Sequence, residues 1–400
     1  MFYRDLRSLA ILIAKGNLSR RSLPYIWVDL LGRNSDNSSV GTEAHIDATI
    51  RWICTAQDRG RGGGISARYH LTSGWASSYP ETTGYTVPTF IECAHVLGRR
   101  DCLKRAKEMA EWLVTLQLSS GAFPGGTVDI EPSPSVFNTG QILQGLVAAY
   151  QEFGHRSHLL SALRAADWLL QMQDEDGAWR RELSPITNTP VQTFNVRTAW
   201  VLLQLWQCTD QPSYRDAALA NIRWTLQQQL PNGWFENNFF YTGERASSLH
   251  TIAYVFEGLI NCGVLLNDGR TIDAAVKLGE VLHSLQKPDG ALLAAYNHQW
   301  RAQYSFVCLT GLAQVAKAWL QIYMVQPDHA FLRSASQALN FLKRIQYLDC
   351  EDEGILGGIK GSLPVYGLYE PLAFPNWAAK FFLDALLLEI ALDQIDAEKK

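Results

Sequence analysis

Four side chains of this sequence have the chemistry to move a proton at a bound ligand: Glu81, Tyr85, Arg197 and His250. Glu81 and Tyr85 belong to the densest polar and aromatic group of the chain, Gly74–Tyr85, together with Trp75 and Tyr79. A carboxyl among rings can donate a proton to a ligand that stacks on aromatic faces. The competing reading makes Glu81 and Thr82 capping and first-turn residues of a following helix. His250 sits at the start of an apolar segment, in the position held elsewhere by Asn138, Asn195 and Asn376. A repeated helix N-cap accounts for asparagine there, and less well for histidine.

Arg197, with Arg68, Arg245 and Arg301, could hold a carboxylate in its guanidinium fork, although each arginine alone also reads as a loop salt bridge. Glu257 lies two turns into an apolar segment, where a carboxylate needs either a salt-bridge partner or a raised pKa. Glu370, beside Tyr369, could face Glu81 and complete an acid/base pair of carboxylates. Gln141, Trp300 and Tyr304 fill out the candidate ligand-binding set, which contains no metal ligands.

Residues so far apart meet only if a repeating scaffold brings their segments to one end. A bulky residue recurs five positions before a glutamine: Trp52/Gln57, Trp112/Gln117, Trp168/Gln173, Trp224/Gln229, Val281/Gln286 and Phe341/Gln346. Successive glutamines are 56 to 60 residues apart, and a Gly-bearing turn follows each one. Amphipathic segments at 43–57, 103–117, 160–173, 215–229, 272–286 and 333–346 read as outer helices. Apolar segments at 85–97, 138–153, 195–208, 249–264, 303–323 and 376–391 read as inner ones. The expected fold is all-α: six helical hairpins closed into an (α/α)6 toroid over residues 43–400, with a helical arm at 1–42. Closure requires helix 43–57 to pack beside helix 376–391.

Composition narrows the functions. The 400 residues are 47% hydrophobic and 18% charged with a formal net charge of −4, which offers no footprint for nucleic acid. The 13 Trp, 15 Tyr and 16 Phe suit a thick core or a stacking cleft. Seven dispersed cysteines form neither a disulfide framework nor a zinc motif, and no cofactor signature stands out. The N-terminus is a poor signal peptide, so the cytoplasm is the expected compartment. Residues 1–33 interleave Arg4, Arg7, Lys15, Arg20, Arg21 and Arg33 with apolar side chains. That pattern suits an arm packed along the barrel wall, or a helix in peripheral contact with a membrane surface.

The segments QMQDEDGAW, QQQLPNGWF and SLQKPDGAL resemble the QW-type repeat of terpenoid cyclase and prenyltransferase toroids. The hairpin plan is also similar to six-hairpin glycosidases, uronate-polysaccharide lyases and the C-terminal domain of glucuronyl C5-epimerases. The segment SGWASSYPETTGYTVPTF resembles one in bacterial proteins linked to surface-polysaccharide synthesis. These resemblances imply an enzyme on a uronate-containing polysaccharide or oligosaccharide. For an epimerase or lyase, Arg197 would neutralise the uronate while His250 or a tyrosine takes the C5 proton. A glycoside hydrolase would use Glu81 with a second acid. A terpenoid cyclase would need a DxDD acid, from which Asp349-Cys350-Glu351-Asp352 departs, and Asp174-Glu175-Asp176 reads as a turn. A non-catalytic polysaccharide-binding scaffold would keep the rings without needing His250, Arg197 or Glu81.

Overall fold

A computed structural model describes residues 5–398 except 17, 33–36 and 38. The arm carries α1 (Leu6–Ala14) and α2 (Leu23–Leu31). Twelve helices follow, alternately outer and inner. They are α3 (Thr42–Arg59), α4 (Pro80–Leu97), α5 (Arg100–Thr115), α6 (Val136–Phe153), α7 (Arg156–Met172) and α8 (Val196–Thr209). The second half comprises α9 (Pro212–Gln227), α10 (Leu249–Leu266), α11 (Gly269–Leu285), α12 (Leu309–Val325), α13 (His329–Ile345) and α14 (Asn376–Glu398).

Each inner helix packs on the next, from α4 through α6, α8, α10 and α12 to α14, and α14 packs back on α4. Outer α3 lies against α14, so the ring closes as the repeat requires. Outer helices keep one wet face: α5 buries Cys102, Ala106, Met109, Ala110, Trp112 and Leu113 and leaves Lys104 and Glu111 exposed. Inner helices are buried nearly all round. Helix α10 is apolar enough by composition to cross a membrane, with a mean hydropathy of 1.5. Its place in the inner ring explains that character. The inner ring is tight because small residues sit at the crossings: a Cβ on Gly84 of α4 would come within 2.6 Å of Ile142 Cα in α6.

The repeated glutamine is a clasp between neighbouring outer helices. Gln117 Nε2 donates to Gly121 O in its own turn and to Ser161 O of α7, both at 2.8 Å. Gln173 and Gln286 make the same pair of bonds, Gln229 reaches Ala274 O of α11, and Gln57 reaches Gly63 O and Arg105 O. Gln346 ends the series on Thr49 of α3, 2.8 Å away, which ties the last outer helix to the first. The turn glycine must be glycine: Gly121 has φ +97°, and its Cβ would come within 2.6 Å of the Arg164 carbonyl oxygen.

Two expectations are corrected. Inner helix α4 begins at Pro80, so Glu81 and Tyr85 stand in its first two turns and not in a preceding loop. Helix α12 begins at Leu309, not 303, because Val307–Cys308 is a short strand. Tyr304 therefore belongs to a loop.

Short turns join each inner helix to the next outer one, whereas outer-to-inner links are long and carry the strands. These are β1 (Arg68–His70), β2 (Gly74–Trp75), β3 (Ser247–Ser248), β4 (Ala295–Tyr296), β5 (Val307–Cys308), β6 (Ser362–Leu363) and β7 (Ala373–Pro375). Strand β1 lies between β2 and β7, pairing Tyr69 with Phe374, so the first and last links also close on each other. The arm packs on this end of the wall. Asp29 of α2 is buried and accepts from Lys360 Nζ at 2.5 Å and Val365 N at 2.6 Å. Arg4 and Arg33 lie outside the described residues.

Candidate active site

The long links surround a cavity of about 540 Å3 above the N-terminal ends of the inner helices. Eleven of its lining side chains are aromatic, among them Tyr79, Tyr85, Tyr254, Tyr369 and Trp377. Glu81, His250 and Trp377 each occupy the second position of their inner helix, and Tyr85 and Tyr254 follow one turn deeper. The repeat thus sets chemistry-bearing residues in rings around the barrel axis.

Glu81 is 6% exposed and sits in the wall between α4 and α6. Its Oε2 accepts from the Tyr79 hydroxyl and from Asn138 Nδ2, each at 2.7 Å. The Asn138 amide is aimed by Ser135, whose hydroxyl donates to Oδ1 at 2.6 Å. Burial pushes the Glu81 carboxyl up to about 7, against the opposing pull of the Tyr79 hydrogen bond and the Arg197 charge. At neutral pH it is poised between acid and carboxylate.

His250 is held differently. Its Nδ1 lies 2.6 Å from Gln314 Oε1, a contact that anchors the ring, and the ring packs 4.2 Å from that of Tyr254. Burial, aided by the Arg197 charge and opposed by the Gln314 bond, lowers its pKa to about 3. A neutral imidazole of such low basicity can still accept a hydrogen bond but abstracts a proton poorly.

The candidate residues separate into three groups. Tyr79, Glu81, Tyr85, His250, Tyr304, Tyr369 and Glu370 line the one cavity. Arg197, Glu257 and Gln141 lie beneath its floor. Arg197 is completely buried; it pairs with Glu257 and donates through Nε to Gln141 Oε1 at 2.9 Å. The expectation of Arg197 as a clamp on a ligand carboxylate is corrected, because its charge is consumed by Glu257. The third group is structural. Trp75 packs on Trp52 and Tyr69, Trp300 bonds the Asn232 carbonyl, and Asn376 ties the Ser66 carbonyl and the Thr82 hydroxyl to α14. Asn195, in a short 3-10 turn, has no hydrogen-bond partner for its amide among the described residues. The N-cap reading fails too, since Asn138, His250 and Asn376 lie inside their helices and Asn195 makes no capping bond.

Arg245 and Arg301 are exposed and outside the cavity lining, whereas Arg68 borders the cavity. It pairs with Glu370 and lies 5.9 Å from the Trp377 ring. Burial raises the Glu370 carboxyl, and Arg68 offsets part of the rise. Glu370 is held at φ +49°, a left-handed conformation that non-glycine residues adopt at some cost.

Beneath the floor, Glu257 also accepts from Lys317 Nζ at 3.0 Å, and Lys317 reaches Asp384 Oδ2 at 2.8 Å. Lys380 donates to the same Asp384 oxygen at 2.7 Å. Burial alone would push Glu257 and Asp384 up, but the surrounding cations outweigh it and hold both below the usual carboxylate range. Lys317, Lys380, Asp384 and Tyr254 were not among the sequence candidates, whereas Glu257 was. A usable signal existed: Glu257 and Lys317 are one repeat apart at equivalent positions of apolar helices.

The family model for the squalene-hopene cyclase C-terminal domain matches residues 79–257. A search of curated proteins finds no sequence match. Among solved structures, the chain is similar to an unsaturated glucuronyl hydrolase specific for heparin, at 16% identity and a TM-score of 0.71, covering 89% of this chain and 98% of that one. It is similar to the cellobiose 2-epimerase of Bacillus thermoamylovorans, at 13% identity and a TM-score of 0.66, with 84% and 95% covered. A third is a mutant unsaturated glucuronyl hydrolase of Streptococcus agalactiae complexed with dGlcA-GalNAc6S, at 13% identity and a TM-score of 0.62, with 87% and 91% covered. At these identities the likeness is one of fold, and the fold is the (α/α)6 toroid.

Proposed function

We propose that this protein is a carbohydrate-active enzyme that cleaves a uronate-bearing oligosaccharide, with Glu81 as the general acid. The observation that carries the reading is a carboxyl near pKa 7 in the wall of an aromatic cavity. Rings such as Tyr85 and Trp377 offer faces on which sugars stack, and Arg68 is placed to exchange Glu370 for a uronate carboxylate. In the proposed step Glu81 gives its proton to the bridging oxygen as the C–O bond breaks. Water takes the place of the leaving group, and its released proton returns to Glu81. His250 accepts a hydrogen bond from a sugar hydroxyl through Nε2 and so orients the ring.

The weak basicity of His250 favours this acid-led cleavage over a C5 epimerase or lyase, which needs a strong base. Hydrolases and an epimerase both stand among the structural neighbours, so the choice between them rests on the side chains of the cavity. A second reading, an acid-initiated cyclase for an apolar substrate, is favoured by the aromatic wall and by the match over residues 79–257. Incubating the protein with uronate-capped oligosaccharides and with polyprenyl substrates separates the two. New reducing ends support cleavage, and a cyclised hydrocarbon would replace it with the cyclase.

A further inference from the structure

Residues 5–32 of the arm distribute their charge unevenly. The two acidic side chains turn inward: Asp5 caps α1 by accepting from Ser8 N at 3.1 Å, and Asp29 holds Lys360 and Val365. The four basic side chains, Arg7, Lys15, Arg20 and Arg21, are all exposed. Arg21 also approaches Asp352, at 3.4 Å, while remaining 60% exposed. The described arm therefore presents cations and no outward acid, on a chain whose formal net charge is −4.

Large apolar side chains stand among these cations. Leu23, Trp27 and Leu31 follow one another at four-residue spacing along α2 and are 41%, 58% and 44% exposed. On α1, Leu6 and Ile13 are 64% and 57% exposed, with the exposed Ala10 between them. The opposite faces are occupied, since Leu12 and Ile26 belong to the core. Two consecutive helices thus each carry an outward apolar stripe bordered by cations. A solvated surface does not require that pattern, and an interfacial one does.

We infer that the arm docks on an anionic lipid bilayer. Helices α1 and α2 lie in the headgroup plane, with Trp27 and the leucines inserted and Arg7, Lys15, Arg20 and Arg21 on the phosphates. Charge complementarity selects this occupant, because an arm with only outward cations fits a polyanionic surface. Through Asp29, α2 is bolted to the segment at Lys360 and Val365, which leads directly to the cavity residues Tyr369 and Glu370. Docking therefore bears on the cavity rim. The inference does not depend on what the cavity turns over.

The test is co-sedimentation of the full chain with vesicles of phosphatidylcholine, alone or mixed with phosphatidylglycerol. The expected result is binding to the mixed vesicles that weakens as salt is raised. The double variant Arg7→Gln/Arg20→Gln should weaken that partition about 30-fold, at about fivefold for each charge near the surface. The double variant Trp27→Ser/Leu31→Ser should abolish it while leaving Tm unchanged, because both side chains are exposed. Failure to bind either vesicle, or equal binding by the parent and both variants, would overturn the inference. So would self-association of the parent, lost in the Trp27 variant, without vesicle binding; a second copy of the chain would then be the occupant.

Discussion

Asn138 Nδ2 lies 2.7 Å from Glu81 Oε2 and bridges α6 to α4 at the cavity wall. With the Tyr79 hydroxyl on the same oxygen, Oε2 is fully engaged and Oε1 is the oxygen left to face a ligand. The sequence separates Asn138 from Glu81 by 57 residues, one turn of the repeat, so the contact follows from the period itself.

Glu81→Gln keeps an oxygen that can accept both bonds but cannot donate an acidic proton. Turnover should fall about 10²-fold or more, the usual scale of general-acid assistance, with little change in KM. A kcat within severalfold of the parent would remove Glu81 from the acid role.

The pH profile follows from the same group. Glu81 is active when protonated, so kcat should fall as pH rises through about 7. The Tyr79 hydrogen bond stabilises the carboxylate, hence Tyr79→Phe should move this alkaline limb to higher pH. A limb that stays in place, measured on the same substrate, would show that another group titrates there.

Stability should respond with a definite sign. The folded pKa of Glu81, about 7, stands above its ordinary 4.5, so its contribution is fully present below 4.5 and is lost as pH rises through 7. The difference amounts to about 3 kcal/mol. Glu81→Gln should therefore gain Tm relative to the parent between pH 5 and about 8, by comparative thermal melts.

Arg197 and Glu257 form a buried pair, and removing Arg197 leaves the Glu257 carboxylate with Lys317 and one cation short. Arg197→Met should cost about 3 to 5 kcal/mol, whereas Arg197→Met with Glu257→Met should recover much of that loss. Denaturant unfolding of the two single variants and the double variant measures the coupling.

The glutamine clasps should act on stability alone. Gln173 bonds Gly177 O at 3.0 Å and Ala217 O at 2.9 Å, so Gln173→Ala should cost about 1 to 2 kcal/mol and leave kcat unchanged. Loss of activity at full stability would contradict a purely structural role for the clasp.

The ring and its closure were legible because one local device, a glutamine five residues after a bulky side chain and just before a Gly turn, repeats with little variation. Glu81, Tyr85 and His250 were legible for a related reason, since the repeat places inner-helix starts at one end. Arg197 was misassigned because sequence gives the end of the barrel but not the depth. Lying at the floor and opposite Glu257, it was bound to neutralise that charge and not to meet a ligand. Tyr304 was placed in a helix because the short strand Val307–Cys308 is apolar and continues the helical pattern without a break. The outward stripe Leu23, Trp27 and Leu31 became visible only once Ile26 and Asp29 were seen facing the wall.

Product analysis by NMR of uronate-capped oligosaccharides, incubated in heavy water with the parent or with Glu81→Gln, tests the central claim most directly. The account predicts new reducing ends with the parent, none above background with Glu81→Gln, and no deuterium at C5 of uncleaved sugar. Deuterium at C5 without cleavage, or equal cleavage by both proteins, would contradict it.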